Sequence, residues 1–169
     1  MFNFQDLNYL RTYRFSFYTG SKIGKFTSVT LGCDMSKSVC DLIPGTNATI
    51  EIDFTTGSYT VLKNVIIVLN MPFKKLEMVF ADKDVSKVIA VVYGIIMDIP
   101  IPFPLTSANA CQTSDSGLTC PLSSGGPYHY KNTLPVHKTY PKLAVTVKWQ
   151  LKDENNDDIV CILVPAKIK

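Results

Sequence analysis

The chain carries two imidazoles, His129 and His137, and a nucleophilic site would need one of them within hydrogen-bond reach of a nucleophile, with a third group to orient it. His137 falls in Pro135-Val136-His137-Lys138, a turn-like context that puts it in solvent rather than in a site. The acidic run Asp153-Glu154-Asn155-Asn156-Asp157-Asp158 has the composition of a calcium loop without its central glycine or distal bidentate glutamate, and reads as a solvated hairpin turn. Gly125-Gly126 reads as a turn, not as a phosphate cradle. The cysteines fall as Cys33/Cys40 and Cys111/Cys120, with Cys161 left over. Neither spacing is Cys-x-x-Cys and both histidines lie apart from the pairs, which argues against zinc and for two short disulfide loops in an oxidising compartment. No catalytic residue, metal or cofactor is expected, and an enzyme is not.

What remains is apolar surface, most of it in Val88–Leu105. From Val88 to Met97 both alternating sets of side chains are apolar, so a strand here meets hydrophobic surroundings on its two faces. Pro100, Pro102 and Pro104 then alternate with Ile101 and Phe103, and a segment without those N–H groups runs along a sheet edge. The alternation throws Ile101 and Phe103 to one side, which suits either an edge strand sealing an ordinary core or the lip of an apolar cavity.

The elements that must position this stretch read as short strands. A chain of 169 residues, 46% hydrophobic and 18% charged, is one globular domain. Its net charge of +3 comes with scattered lysines, so nucleic acid is not an expected partner, and no run reaches the roughly 20 apolar residues of a membrane span. Ile23–Leu31 suggests a strand with Ile23, Lys25, Thr27, Val29 and Leu31 on one side, although Phe26 sits on the other. Ala48, Ile50, Ile52 and Phe54 alternate with Thr49, Glu51, Asp53 and Thr55 as a half-buried antiparallel strand. Gly57–Ala81, with the runs Val65–Leu69 and Met71–Phe80, suggests a further strand and a short helix although the pieces are ambiguous, and Asp82-Lys83-Asp84 resets the chain to polar. Thr106–Ser124 is a polar loop held by the second cysteine pair, followed by an alternating segment through Tyr128, Tyr130 and Asn132. Leu143, Val145, Val147, Trp149 and Leu151 give the clearest strand signal, and Ile159–Val164 returns as the last strand. Short strands and frequent turn residues predict an all-β sandwich.

The sequon Asn47-Ala48-Thr49 points to the secretory route and makes Asn47 a candidate glycosylation site. Met1–Thr19, however, carries Asp6, Arg11 and Arg14 among aromatics and does not have the pattern of a signal peptide.

The series Tyr93-Gly-Ile-Ile-Met-Asp-Ile-Pro-Ile-Pro-Phe-Pro104, Cys111…Cys120-Pro121-Leu122, Tyr128-x-Tyr130, Leu134-Pro135-Val136…Tyr140-Pro141 and Trp149-Gln150-Leu151 closely resembles the lipid-recognition (ML) domain family. That family includes the soluble Niemann-Pick type C sterol carriers and the group two mite allergens, and the match covers Gly20–Thr55 and Val85–Lys169. The resemblance implies an immunoglobulin-like β-sandwich of two antiparallel sheets splayed apart, with a hydrophobic pocket between them. By motif, the pocket mouth falls on Ile101, Phe103, Val136 and Tyr140, Leu134 and Pro135 of the same segment are further ligand-binding candidates, and Trp149 lies on the strand that contributes the wall. Gly94, Ile95 and Ile99 match a loop that touches membranes during lipid transfer, with Asp98 where the sterol carriers have a small residue. Cys33–Cys40 and Cys111–Cys120 match two family disulfides.

Two departures stand out. The family's third bridge would tie Cys161 to a cysteine just before a Gly-Ser pair, and this chain has Thr19 ahead of Gly20-Ser21. Gly57–Ala81 has no family counterpart. The domain is therefore expected over residues 20–169, with 1–19 an atypical N-terminal segment and 57–81 an unmatched insert, both read as translated intron or a mis-assigned gene start. The resemblance implies a monomeric carrier of a sterol such as cholesterol, working in intracellular sterol transport from the secreted space or the lysosomal lumen. Its expected partners are the lipid, a transient membrane surface and a membrane sterol transporter. An extracellular carrier of fatty acids or semiochemicals, and a microbial-lipid recognition protein of innate immunity, are the alternatives.

Overall fold

A computed structural model describes residues 21, 23–34, 36–61, 78–81 and 84–169. Met1–Thr19, the central part of the block expected as an insert and the Asp82-Lys83 break lie outside these residues. The described strands are β1 (Gly24–Leu31), β2 (Cys40–Leu42), β3 (Asn47–Thr56), β4 (Ser58–Val61), β5 (Met78–Ala81), β6 (Ile89–Ile96), β7 (Ile99–Phe103), β8 (Gly125–Pro135), β9 (Ala144–Lys152) and β10 (Asp158–Ile168). They form a sheet in the order β1-β3-β8, a facing sheet in the order β2-β10-β9-β6-β7, and a separate pair β4-β5. This is the predicted all-β sandwich.

Alternation builds the three-stranded sheet. Ile50, Ile52 and Phe54 of β3 are buried, while Glu51 and Asp53 face out and pair across to Lys131 (3.0 Å) and His129 (2.7 Å) on β8. Phe26, at odds with a simple alternation in β1, is explained by a bulge between Phe26 and Ser28. The extra residue, Thr27, resets the pleat so that Phe26 opposite Phe54, and Val29 and Leu31 further on, all pack inward.

In the five-stranded sheet β7 is the outermost strand, where its prolines leave no inner ladder bond unmade. One feature differs from the sequence reading. The facing sheet is not wholly antiparallel, because β2 pairs parallel to the end of β10, Cys40 beside Ala166. The strand expected at Val65–Leu69 and most of the helical stretch from Met71 lie outside the described residues, and the two described ends of 57–81 are strands paired only with each other. Thr106–Ser124 is held as expected by the Cys111–Cys120 disulfide, and the buried Ser116 hydroxyl donates to the Ala110 carbonyl at 2.5 Å.

Candidate ligand cavity

Towards one end of the sandwich the sheets meet in a continuous core around Phe54, Tyr130, Leu151 and Ile162. Towards the other they part and enclose a cavity of about 580 Å³. Side chains that alternate inward from the five-stranded sheet make its floor. Phe103, Val92 and Trp149 lie in register across β7, β6 and β9, and Ile101, Gly94 and Val147 form the adjoining row. Leu31, Ala48, Ile50 and Leu134 face them from the other sheet. The Cys33–Cys40 disulfide closes one flank by tying the end of β1 to β2.

The rim is built from three chain segments. Val136 is clamped to the β2–β3 turn, its N–H donating to the Thr46 carbonyl at 2.8 Å and its carbonyl accepting from the Gly45 N–H at 2.6 Å. Tyr140 stands edge-on to both Phe103 (ring centroids 6.4 Å) and His137 (5.2 Å). The β6–β7 hairpin completes the rim through a two-residue turn, Met97-Asp98, with φ of 48° and 64°. Positive φ at both central positions is the mirror-image turn that matches strand twist, here made without glycine.

Every residue expected at the pocket, Ile101, Phe103, Leu134, Pro135, Val136, Tyr140 and Trp149, lines this one cavity. Trp149 and Val136 are buried, Phe103 and Tyr140 are half-buried, and Ile101 is exposed. The residues matched to a membrane loop divide. Ile99 is exposed on the hairpin, Gly94 lines the cavity floor, and Ile95 lies on the opposite face of β6, paired with Pro100 and Thr146. Sequence reasoning missed Met97, 86% exposed at the tip, and Ile43, exposed on the opposite rim. With Ile99 at 61% and Ile101 at 49%, three large exposed hydrophobic residues cluster on the β6–β7 hairpin, whose Ile101 lines the opening as Ile43 does on the other side. The residue pair Met97-Asp98 does not carry the Asn-Gly or Asp-Gly signature by which such a turn is read from sequence.

Polar groups at the cavity margin come mainly from β2 and β3: Asp41, Thr46, Asn47 and Thr49. Asp41 is paired with Lys37 (2.9 Å) and Lys169 (3.1 Å), and these bonds, Lys37 first, hold its carboxyl below the usual range. Asn47, the sequon residue, is exposed at the first position of β3. Deeper in, burial pushes the Tyr130 phenol up to about 12 although Asn132 donates to its oxygen at 2.9 Å.

The arrangement suits retention of an apolar molecule rather than bond chemistry. On the outer face of the three-stranded sheet, Ser28 and His129 both bond to Asp53, at 2.5 and 2.7 Å, so the carboxylate separates hydroxyl from imidazole instead of orienting a base toward a nucleophile. Asp153 accepts the N–H groups of Asn155 and Asp157 and closes the β9–β10 turn with its own carboxylate. Cys161 is buried outside both disulfides, and its N–H donates to Ser21 Oγ at 3.2 Å.

Comparison with known families decides the lineage, since the ML-domain profile matches residues 60–168. The chain belongs to the ML-domain family. It is 38% identical over 151 residues to the NPC intracellular cholesterol transporter 2 homolog a of Drosophila melanogaster, covering 89% of this chain and 84% of that protein. It is 40% identical over 155 residues to the ecdysteroid-regulated 16 kDa protein of Manduca sexta, covering 90% and 88%. Among solved structures, the Niemann-Pick type C2 protein from Japanese carpenter ant superposes with a TM-score of 0.72 at 31% identity, over 91% of this chain and 99% of that one. The ML-domain lineage therefore agrees with the splayed sandwich, and these relatives are not enzymes by name.

Proposed function

We propose that this ML-domain protein carries a sterol in the cavity between its sheets and transfers it between membranes. The observation that carries the reading is the cavity: about 580 Å³, within the roughly 300–1,000 Å³ of small-molecule sites, and walled by apolar side chains from both sheets. Such a slot binds by removing apolar surface from water, at about 25 cal/mol per Å² before ordering costs. The similarity to a protein named as a cholesterol transporter supports a sterol as the ligand. Ile101, Phe103, Leu134, Pro135, Val136, Tyr140 and Trp149 are the contact residues in this reading, with the Tyr140 ring at the opening.

Exchange takes place at a membrane. Met97, Ile99 and Ile101 dip from the hairpin into the lipid surface beside the cavity mouth, and Asp98 weakens docking on anionic bilayers. The protein works in an oxidising lumen or outside the cell, supported by its two disulfides, and carries a glycan on the exposed Asn47. Titration of the purified protein with a fluorescent sterol tests the central reading. Saturable quenching of Trp149 at one sterol per chain is expected, and no binding up to the solubility limit of the probe would refute it. Loss of mass on glycosidase treatment of protein secreted from eukaryotic cells, absent in Asn47→Gln, checks the glycan.

A further inference from the structure

Gly94 has no backbone reason to be glycine. Gly117 and Gly126 hold φ of 78° and 122°, where a side chain is strained, whereas Gly94 lies in regular strand and pairs without a register shift to Ile101 on one side and Val147 on the other. A glycine inside a regular strand weakens it, and one that marks no bulge or bend often marks the close approach of a ligand. Its neighbours in the row, Ile101 and Val147, are bulky, as are Phe103, Val92 and Trp149 alongside, and all of these line the cavity with it. A Cβ built on Gly94 meets a single atom within 4 Å, Val145 Cγ2 at 3.3 Å, which is closer than ordinary contact, so alanine already pushes on the Val145 side chain and a larger side chain would also extend into the cavity.

We propose that Gly94 is a shape-selecting notch in the cavity floor, which admits the thick, rigid body of a fused-ring lipid. A flexible acyl chain can bend past a side chain at this position, and a fused-ring body cannot. The proposal rests on the carrier reading and adds to it a determinant of which lipid is carried.

The test measures binding of a fluorescent sterol and of a fluorescent linear fatty acid to wild type, Gly94→Ala and Gly94→Val, with thermal melts to check the fold. Because a single methylene group in an apolar pocket is worth about tenfold or more, the sterol Kd is expected to rise about tenfold in G94A and further in G94V. The linear probe is expected to change less than threefold. Where the linear probe binds none of the proteins, the graded sterol loss decides alone, and should G94V not fold, G94A carries the comparison. Equal losses for both probes, or sterol affinity within twofold of wild type in a folded G94V, overturn the notch and leave the carrier reading standing. Wild-type protein that binds neither probe removes the carrier reading, and the notch with it.

Discussion

Phe103→Ala offers the sharpest test of the pocket. The ring is half-buried, packed against the core on one side and edge-on to Tyr140 at the rim, so only part of it remains for a ligand to cover. That part is on the order of 50 Å² of a side chain that buries about 150–250 Å² in full. The ligand patch that covers it is about as large, so roughly 100 Å² leaves water at this contact, worth about 2.5 kcal/mol at 25 cal/mol per Å². This is an upper figure, because neighbours close part of the gap left by the ring. Kd for a fluorescent sterol is expected to rise about ten- to fiftyfold. The fold survives, since Phe54, Leu151 and Ile162 of the main core are untouched; a stability loss of about 1–2 kcal/mol lowers Tm by roughly 2–8 °C. Equilibrium titration and a thermal melt on one preparation separate the two effects. A folded variant that binds sterol within twofold of wild type would refute the assignment of Phe103 to the ligand wall.

Two further predictions concern the hairpin and the buried phenol. Met97→Asp keeps a residue that tolerates positive φ but removes the most exposed apolar side chain at the tip, so sterol transfer between vesicles should slow about tenfold while affinity in solution stays within twofold; unchanged transfer would show that the tip does not dock. Because burial raises the Tyr130 phenol to about 12, the folded state keeps this proton longer than the unfolded chain does. Its contribution is complete below about pH 10 and falls by about 1.4 kcal/mol per pH unit from there to about 12. Denaturant unfolding of Tyr130→Phe across the same window should lack this added slope, and parallel curves for the two proteins would contradict it.

The sandwich was legible because β3 and β9 alternate cleanly, and β7 because Pro100 and Pro102 exclude an inner position. Other features leave little trace. The bulge in β1 is a one-residue slip with no Gly or Pro to announce it, and β2 is too short for periodicity to register. The Met97-Asp98 turn does not use the Asn-Gly pattern that usually marks such hairpins, so Tyr93–Pro104 read as one motif and Met97 went unnoticed at its tip. The cavity is a different case. Inward alternation tells that Val147, Trp149 and Leu151 face the partner sheet, but not that Val147 and one side of the core-packed Trp149 border the cavity while Leu151 meets only packed protein. That depends on how far apart the sheets stand, which no single strand encodes. Alternation with prolines singled out Ile101 and Phe103, and only the family resemblance pointed to the others beforehand.

The block expected to be an insert, most of which falls inside the family match over 60–168, yields a prediction from its junctions. Gly57 and Asp84 both abut Ser124: a Cβ on Gly57 would sit 3.3 Å from the Ser124 hydroxyl, and the Asp84 carboxylate accepts the Ser124 N–H at 3.1 Å. Two points that touch one residue are within reach of a link of two or three residues, each spanning up to about 3.3–3.6 Å. Among the described residues, β4 and β5 join neither sheet, and none of those lining the cavity comes from this block. We therefore propose that 58–83 is dispensable to the carrier. Its replacement by Gly-Ser-Gly should leave Tm within a few degrees, since closing a shorter loop is slightly favourable, and sterol affinity within twofold. A deletion variant that folds but loses sterol would make the insert part of the pocket, and one that fails to fold would make it part of the sandwich. Either result would also count against reading the segment as translated intron, which a mature transcript encoding it would refute directly.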